Sequence, residues 1–401
     1  MKLQVDKHKL SRMPVVSAAL VLAVMAAGAR TSQAQSSSYE IAVDCDITGT
    51  SAAVGAPQVA GIRAAVEGQN RRGGVDGKKI NLTVRDDLNT PATAISNVRR
   101  LLDNKETLAL VGLNSSFIVS ALVPLADTYK AAMLSPGVPD NLLTPVPKYL
   151  YMTIAGFGAQ AIAMAEFAAA QAGKNGLPAK PRILSLHYDS PAATQWEAAL
   201  EPALKRLGLE LVDEQRFSNV ATDVSAQAAR VAEARPDIIL GFILPNQMPL
   251  VNGALKAAGV NPAVPVINFT FGSAEAVLNA VGTERPYIAV ANFNMTTDGK
   301  MASQARADAQ AINVNPASGA YAEGYAQGLI VIDVLKRCGA NCTREGFLAA
   351  MNQTKSDLGG FAFGPVVFTE QDHAGLSTVG LQKIGPNGSP VLVGQAPVKP
   401  K

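Results

Sequence analysis

The sequence predicts an α/β fold of two lobes, each a parallel sheet covered by helices, and three observations predict it. Strand-like apolar runs alternate with helix-like runs from Tyr39 onward, which is the signature of parallel strands joined by helical crossovers. The alternation starts afresh after Tyr151-Met152-Thr153, giving a second unit like the first. The stretch Thr107 to Pro136 shows the unit in miniature. Thr107 to Val111 reads as a buried strand, and Asn114-Ser115-Ser116 stands where a helix through Ile118, Leu122 and Leu125 needs its first cap. Ala131 to Gly137 then reads as the next parallel strand. Two lobes of this build place a cleft between them, the default site for a ligand.

Taken in order, Ile41 to Ile47 is the first strand and breaks at the hydroxyl-rich loop Thr48-Gly49-Thr50-Ser51. A helix follows from about Gln58 to Asn70, then a glycine turn from Gly73 to Lys79, then the alternating strand Ile80 to Val84. Asp86-Asp87 ends that strand. Neighbouring residues on a strand face opposite ways, so the pair reads as structural and not as an acid/base or metal pair. Pro91 opens a helix whose buried face carries Ala94, Val98, Leu101 and Leu102. In the second unit the expected helices are Gly158–Ala172, Ala193–Leu207, Asp223–Ala234 and Leu250–Ala258. The expected strands there are Arg182–His187, Glu210–Arg216, Asp237–Phe242 and Val264–Asn268. Tyr287 to Ala291 is a further strand, followed by helices Gly319–Cys338 and Thr343–Met351, the latter capped by Thr343. The glycine-punctuated tail from Phe363 to Val393 is β-like. It can finish a third unit or cross back over both lobes, and periodicity leaves both open.

Composition narrows the function classes. With 401 residues, 48% apolar and 17% charged, the chain is neither disordered nor fibrous. Its one long apolar run, Val15 to Ala29, follows Lys2, Lys7, Lys9 and Arg12 and precedes Ser32-Gln33-Ala34. That pattern is expected of a cleaved signal peptide over residues 1–34, being too short to span a bilayer. The leader holds five basic residues against Asp6, so without it the formal charge falls from +3 to −1 and no basic patch argues for nucleic acid. No Cys stands near Ala34, so a lipid anchor is not expected. Cys338 and Cys342 flank a helix-ending turn and could pair in an oxidising compartment, while Cys45 reads as a buried thiol. Outside the leader only His187 and His373 are histidines, and no nucleophile elbow, His-Glu-x-x-His or phosphate loop is present. A hydrolytic role would have to rest on His187, at a strand end on the cleft rim.

At the Asn114-Ser115-Ser116 turn, unpaired N–H groups, two hydroxyls and the positive end of a helix dipole suit a carboxylate. The neighbouring stretches carry a resemblance. They are Ile47-Thr48-Gly49, Gly73 to Ile80, Arg85-Asp86-Asp87 with Asn89 and Pro91 to Ala94, Val111-Gly112 with Ser115-Ser116, and Leu134 to Gly137. Further on come Ala221 to Asp223, Ala234 to Asp237, Leu255 to Gly259 and Thr343 to Glu345. In this order and spacing the chain resembles the periplasmic type I solute-binding proteins of ABC transporters, in the leucine/isoleucine/valine-binding branch.

The resemblance implies two Rossmann-like lobes joined by a three-crossing hinge, near Tyr151 to Thr153, Phe293-Asn294 and Gly364 to Val366. The lobes then comprise residues 38–152 with 294–364, and 153–293 with 365–401. It implies a periplasmic monomer that is not membrane-embedded, carries no cofactor or metal, and closes on a small solute before docking on permease subunits. Residue by residue, the carboxylate site falls on Ser115 and Ser116 beside Asn114, supported by Gly137 and Val138, with Thr48 on the same rim. His187, Thr194, Ile243 and Thr270 complete the enclosure from the second lobe. The amino-acid binders place a Tyr where Ala193 stands and an acid where Thr270 stands. Apolar amino acids and aromatic or aliphatic organic acids are both candidate solutes. A sensor of the same fold, coupled to a receptor instead of a permease, is the alternative.

Overall fold

β1 (Ser38–Cys45) is buried along nearly its whole length and sits between β2 (Lys79–Asp86) and β3 (Thr107–Val111). One face carries Tyr39, Ile41, Val43 and Cys45, and the other carries Ala42 and a buried Asp44 that accepts from Asn97. β2, at the sheet edge, alternates exposed and covered residues as a half-covered strand must. With β4 (Ala132–Ser135) and β5 (Leu150–Met152) these strands form a five-stranded parallel sheet in the order β2-β1-β3-β4-β5. The crossovers are α1 (Ala52–Arg71), α2 (Pro91–Asp103) and α3 (Ser116–Tyr129). This computed structural model describes residues 38–273, 277, 280–281, 284–296, 300–385 and 389–398. The leader expected over residues 1–34 lies outside the described residues, among which no helix is long and apolar enough to cross a membrane.

The second sheet has seven strands in the order β14-β13-β10-β9-β8-β6-β7. β6 (Arg182–Tyr188), β7 (Glu210–Phe217), β8 (Ile238–Phe242), β9 (Val266–Asn268) and β10 (Tyr287–Ala291) are parallel. α4 (Phe157–Gln171), α5 (Pro191–Arg206), α6 (Ser225–Ala234) and α7 (Met248–Ala257) belong to this half. The tail forms no third unit. β13 (Thr378–Ile384) and β14 (Pro390–Pro397) make an antiparallel hairpin that adds to β10.

Between β10 and β13 the chain visits the first sheet again. α8 (Lys300–Gln310) and α9 (Gly319–Cys338) both pack on α1, and α10 (Arg344–Met351) packs against β3 and β4. α9 and α1 touch backbone to backbone. A Cβ at Gly61 would lie 2.1 Å from Tyr321 O, and one at Gly324 would lie 1.9 Å from Gln58 O. Thr343 caps α10 by accepting from Gly346 N at 3.1 Å, and the Arg344 guanidinium donates to the carbonyls of Leu102, Asn104, Thr107 and Tyr129. The chain therefore changes sheets three times, after β5, after β10 and after the short pair β11 (Lys355–Ser356) and β12 (Val366–Val367). Bridges Met152–Ala374, Phe293–Ala362 and Val366–Leu376 tie these passages together.

Some elements depart from the sequence-based expectation for identifiable reasons. α1 begins at Ala52, six residues before the predicted start, because Ser51 O takes the N–H of Val54 and Gly55 and closes a first turn before Pro57. α8 was not predicted. Its buried face is Ala302, Ala305 and Ala309 with Asp308, which pairs with Arg71 and Arg72, and single methyl groups beside a carboxylate carry little apolar contrast. Cys338 and Cys342 are joined in a disulfide that closes the turn after α9, and Cys45 is a buried thiol.

Candidate functional site

The turn between β3 and α3 is built from both its ends. The first helical bond runs from Val119 N to Ser115 O. Helix geometry then leaves the N–H groups of Ser116, Phe117 and Ile118 without an intrahelical partner. Ser115 occupies the cap position with extended backbone, yet its hydroxyl makes no capping bond. Both serines are 7% exposed. Asn114 Oδ1 accepts from Asp46 N at 3.2 Å, while its Nδ2 is buried with no partner in the protein. Alongside, the Ser135 hydroxyl donates to Leu113 O and accepts from Gly137 N at 2.9 Å, which fixes the loop after β4 against the serine turn.

These groups face a small cavity of about 30 Å³, room for about two waters. From the five-stranded half it is lined by Ser51, Val54, Asn89, Asn114, Ser115, Ser116, Phe117 and Gly137. From the seven-stranded half it is lined by Phe157, Tyr188, Ser190, Ala192, Asn219, Leu244 and Phe271. Most of these positions follow the carboxyl end of a parallel strand, where open α/β sheets bind ligands. Ser190 caps α5 by accepting from Ala193 N at 3.0 Å, and Asn219 is held by Gln247 Nε2. Asn89 donates to Thr50 and Ser51 across the rim. Under the lining on the second side lies an aromatic cluster. Phe242 stacks on Phe269 with ring centres 3.7 Å apart and meets Phe157, Tyr188 and Trp196 at 5.5–5.8 Å, and Phe269 meets Phe271 edge-on.

Of the residues singled out from sequence, the structure brings Asn114, Ser115, Ser116 and Gly137 together in this cavity. Val138 is fully buried beside Gly137 without lining it. Thr48 lies on the exposed rim and donates to Asp86 Oδ2 at 2.6 Å. Thr194 donates to Ser190 O at 3.3 Å within the first turn of α5. Ile243 is buried, its backbone clamped by the Asn268 amide. Thr270 lines a different cavity, near the passage after β10, and donates to Glu323 Oε1 at 2.7 Å. His187 points under α5, where Nε2 meets Glu197 and lies 3.9 Å from Glu214; burial pushes its pKa down and pushes Glu197 up to about 7. Arg216 pairs with both of those carboxylates.

Asp86 and Asp87 do not diverge as strand alternation predicts: Asp87 stands just beyond β2, and the carboxylates of Asp46, Asp86 and Asp87 bring oxygens within 4.8 Å of one another. Asp86 accepts from Ile47 N, Thr48 and Leu88 N, and buried Asp87 accepts from Asn89 N, burial raising its pKa to about 6. The lining residues Asn89, Phe157, Asn219 and Phe271 were not among the sequence-predicted site residues. The signal that finds them is position, directly beyond strand ends or at helix starts, combined with the sheet order that sets which loops share a rim.

One contact joins the two sides without touching the cavity. Asp140, in the short helical turn after β4, accepts from Gly158 N at 3.0 Å and so caps α4 from the other half. Its own N–H donates to Gln195 Oε1, and Gln195 Nε2 donates to Asn141.

Comparison with known proteins agrees with this architecture. A profile of the family described as periplasmic binding protein matches residues 38–389. A structure of a branched chain amino acid ABC transporter protein from Thermus thermophilus with bound valine superposes with a TM-score of 0.78 at 18% identity, covering 90% of this chain and 96% of that one. A fatty acid ABC transporter substrate-binding protein from Thermomonospora curvata superposes at 0.76 with 22% identity, covering 89% of this chain and 91% of that one. An amino acid binding protein from Pseudomonas aeruginosa is 32% identical over 100 residues, which span 24% of this chain and 26% of that protein. With the profile covering nearly the whole described chain and the two-sheet architecture shared with such neighbours, the chain belongs to the periplasmic binding protein family, type I.

Proposed function

We propose that the protein is the solute-binding component of an ABC importer, taking a small carboxylate-bearing solute between the two sheets and delivering it to a membrane permease. The observation that carries this reading is the cavity at Asn114 to Phe117. Two hydroxyls free of capping bonds and the N–H groups of a helix start border one space shared by both halves. In this proposal residues 38–152 with 294–364 form one lobe and 153–293 with 365–401 the other, the three passages between sheets acting as the hinge. A cavity of about 30 Å³ admits a solute of amino-acid size only when the lobes part. A solute shifts the open–closed balance by the contacts it makes only when closed. Its second-lobe partners, Tyr188, Ser190, Asn219, Leu244 and Phe271, therefore control closure.

The carboxylate is tested by a thermal-shift and calorimetric panel of small carboxylic acids against their methyl esters and primary amides. Free acids stabilise the protein and their esters do not. Equal stabilisation by ester and acid removes the carboxylate from the reading.

The Asp140 cap on α4 is part of closure in the same proposal. A capping carboxylate contributes about 1 kcal/mol, so Asp140→Ala weakens solute binding about five-fold and leaves the order of preference among solutes unchanged. Calorimetry on the variant checks this, and unaltered affinity detaches the contact from closure.

A further inference from the structure

We infer that the solute is a carboxylate with a flat aromatic body and no α-ammonium group. This rests on the solute-carrier reading above and narrows it. The first support is charge. No Asp, Glu, Lys, Arg or His side chain is among the described residues that line the cavity; its polar surface is all hydroxyl and amide. An ammonium group taken out of water without an anionic partner is strongly disfavoured, whereas a carboxylate is satisfied by N–H and O–H donors, which this cavity supplies at the start of α3.

The nearby acids lie outside the lining, although Asp87 Oδ2, Asp140 Oδ1 and Glu323 Oε2 have no hydrogen-bond partner. Asp46 accepts from Gly49 N and Ser51 N at 2.5 and 2.6 Å, Asp140 caps α4, and Glu323 accepts from Thr270 and Asn292. Asp189 stands between two lining residues, Tyr188 and Ser190, but is itself exposed, and its charge acts on His187, Glu197 and Arg216 under the far side of α5. The polar side chains that do line the cavity, Ser51, Asn89, Asn114, Ser115, Ser116, Tyr188, Ser190 and Asn219, are all neutral. Such groups satisfy a carboxylate and supply no counter-charge for an ammonium.

The second support is shape. Phe157, Tyr188 and Phe271 are the cavity-facing edge of the cluster centred on Phe242 and Phe269, and Phe117 stands opposite them, 43% exposed. A planar ring entering between Phe117 and that edge prolongs an existing set of stacked and edge-on contacts. A ring there with its carboxylate toward Ser115 and Ser116 fills both ends of the site.

Matched pairs on the full chain decide the point: 3-phenylpropanoate against L-phenylalanine and 4-methylpentanoate against L-leucine, with benzoate, phenylacetate and hexanoate alongside, each by thermal shift and calorimetry. The expected result is that the deaminated member of each pair binds at least ten-fold tighter, and that an aryl acid binds tighter than hexanoate. Tighter binding of either amino acid overturns the inference while leaving the carrier reading intact. Hexanoate above every aryl acid overturns its aromatic half. Binding of uncharged amides in place of all the acids, or of nothing in the panel at millimolar concentration, removes the carboxylate reading and this inference with it.

Discussion

Replacing Ser115 and Ser116 together with alanine is expected to weaken binding of the preferred acid by tens-fold or more. A hydrogen bond to a charged group contributes about 1.5–3 kcal/mol, and two hydroxyls are removed from a site that excludes most water. The fold should hardly notice. Loss of a capping hydroxyl at a helix start ordinarily costs about 1 kcal/mol, but the Ser115 side chain makes no such bond here, so the usual penalty is absent. The pairing of outcomes is the test: calorimetric affinity falls while the thermal midpoint stays near that of the parent. Unchanged affinity would show the carboxylate lodged elsewhere, and a large drop in midpoint would show that the hydroxyls serve the helix.

The second large effect concerns pH. Glu323 on α9 is 1% exposed; its Oε1 accepts from Thr270 at 2.7 Å and from Asn292 at 3.0 Å, and its Oε2 has no partner. Burial, opposed by those two bonds, raises its pKa from 4.5 to about 7. Below pH 4.5 both folded and unfolded chains hold the proton, and the site contributes its full stability. Between 4.5 and about 7 the unfolded chain has released the proton and the folded one still holds it. Stability therefore falls across that window and levels off above it, by about 3 kcal/mol in all. Glu323→Gln keeps an oxygen to accept both bonds and never ionises. It is expected to match the parent near pH 4 and to exceed it by up to about 3 kcal/mol at pH 8, read as the difference in urea midpoints across the range. A variant less stable than the parent at pH 8 would show that the carboxylate is held ionised.

How far the sequence could be read follows the range of the forces involved. β3, α3 and β4 are legible because a buried strand is apolar throughout and a helix start wants a hydroxyl, both local demands. Gly319–Cys338 is legible end to end because aromatic, aliphatic and small residues run its length until Gly339 closes it, although Glu323 and Gln327 are buried among them. What was not legible depends on residues far apart in the chain. The Asp140 cap on α4 cannot be seen from either segment, since the carboxylate sits in a loop and Gly156 is a cap residue without a side-chain bond of its own. The cavity lining depends on sheet order, which decides that Phe117 and Phe271 share a space. His187 stands at the promising end of a strand, yet its side chain faces α5 and its glutamates instead of the rim. Strand alternation alone could not choose that face, because β6 is buried on both sides.

The glycine seam between α1 and α9 joins helices more than two hundred residues apart. A ribosome making this chain has threaded out all five strands and three helices of the first sheet long before α9 exists. Until Cys338 is made, one flank of α1 has nothing to lie against, and contacts so distant in sequence form slowly. The second sheet waits as well, since the hairpin of β13 and β14 is made later still, so neither half is complete until the chain is nearly finished.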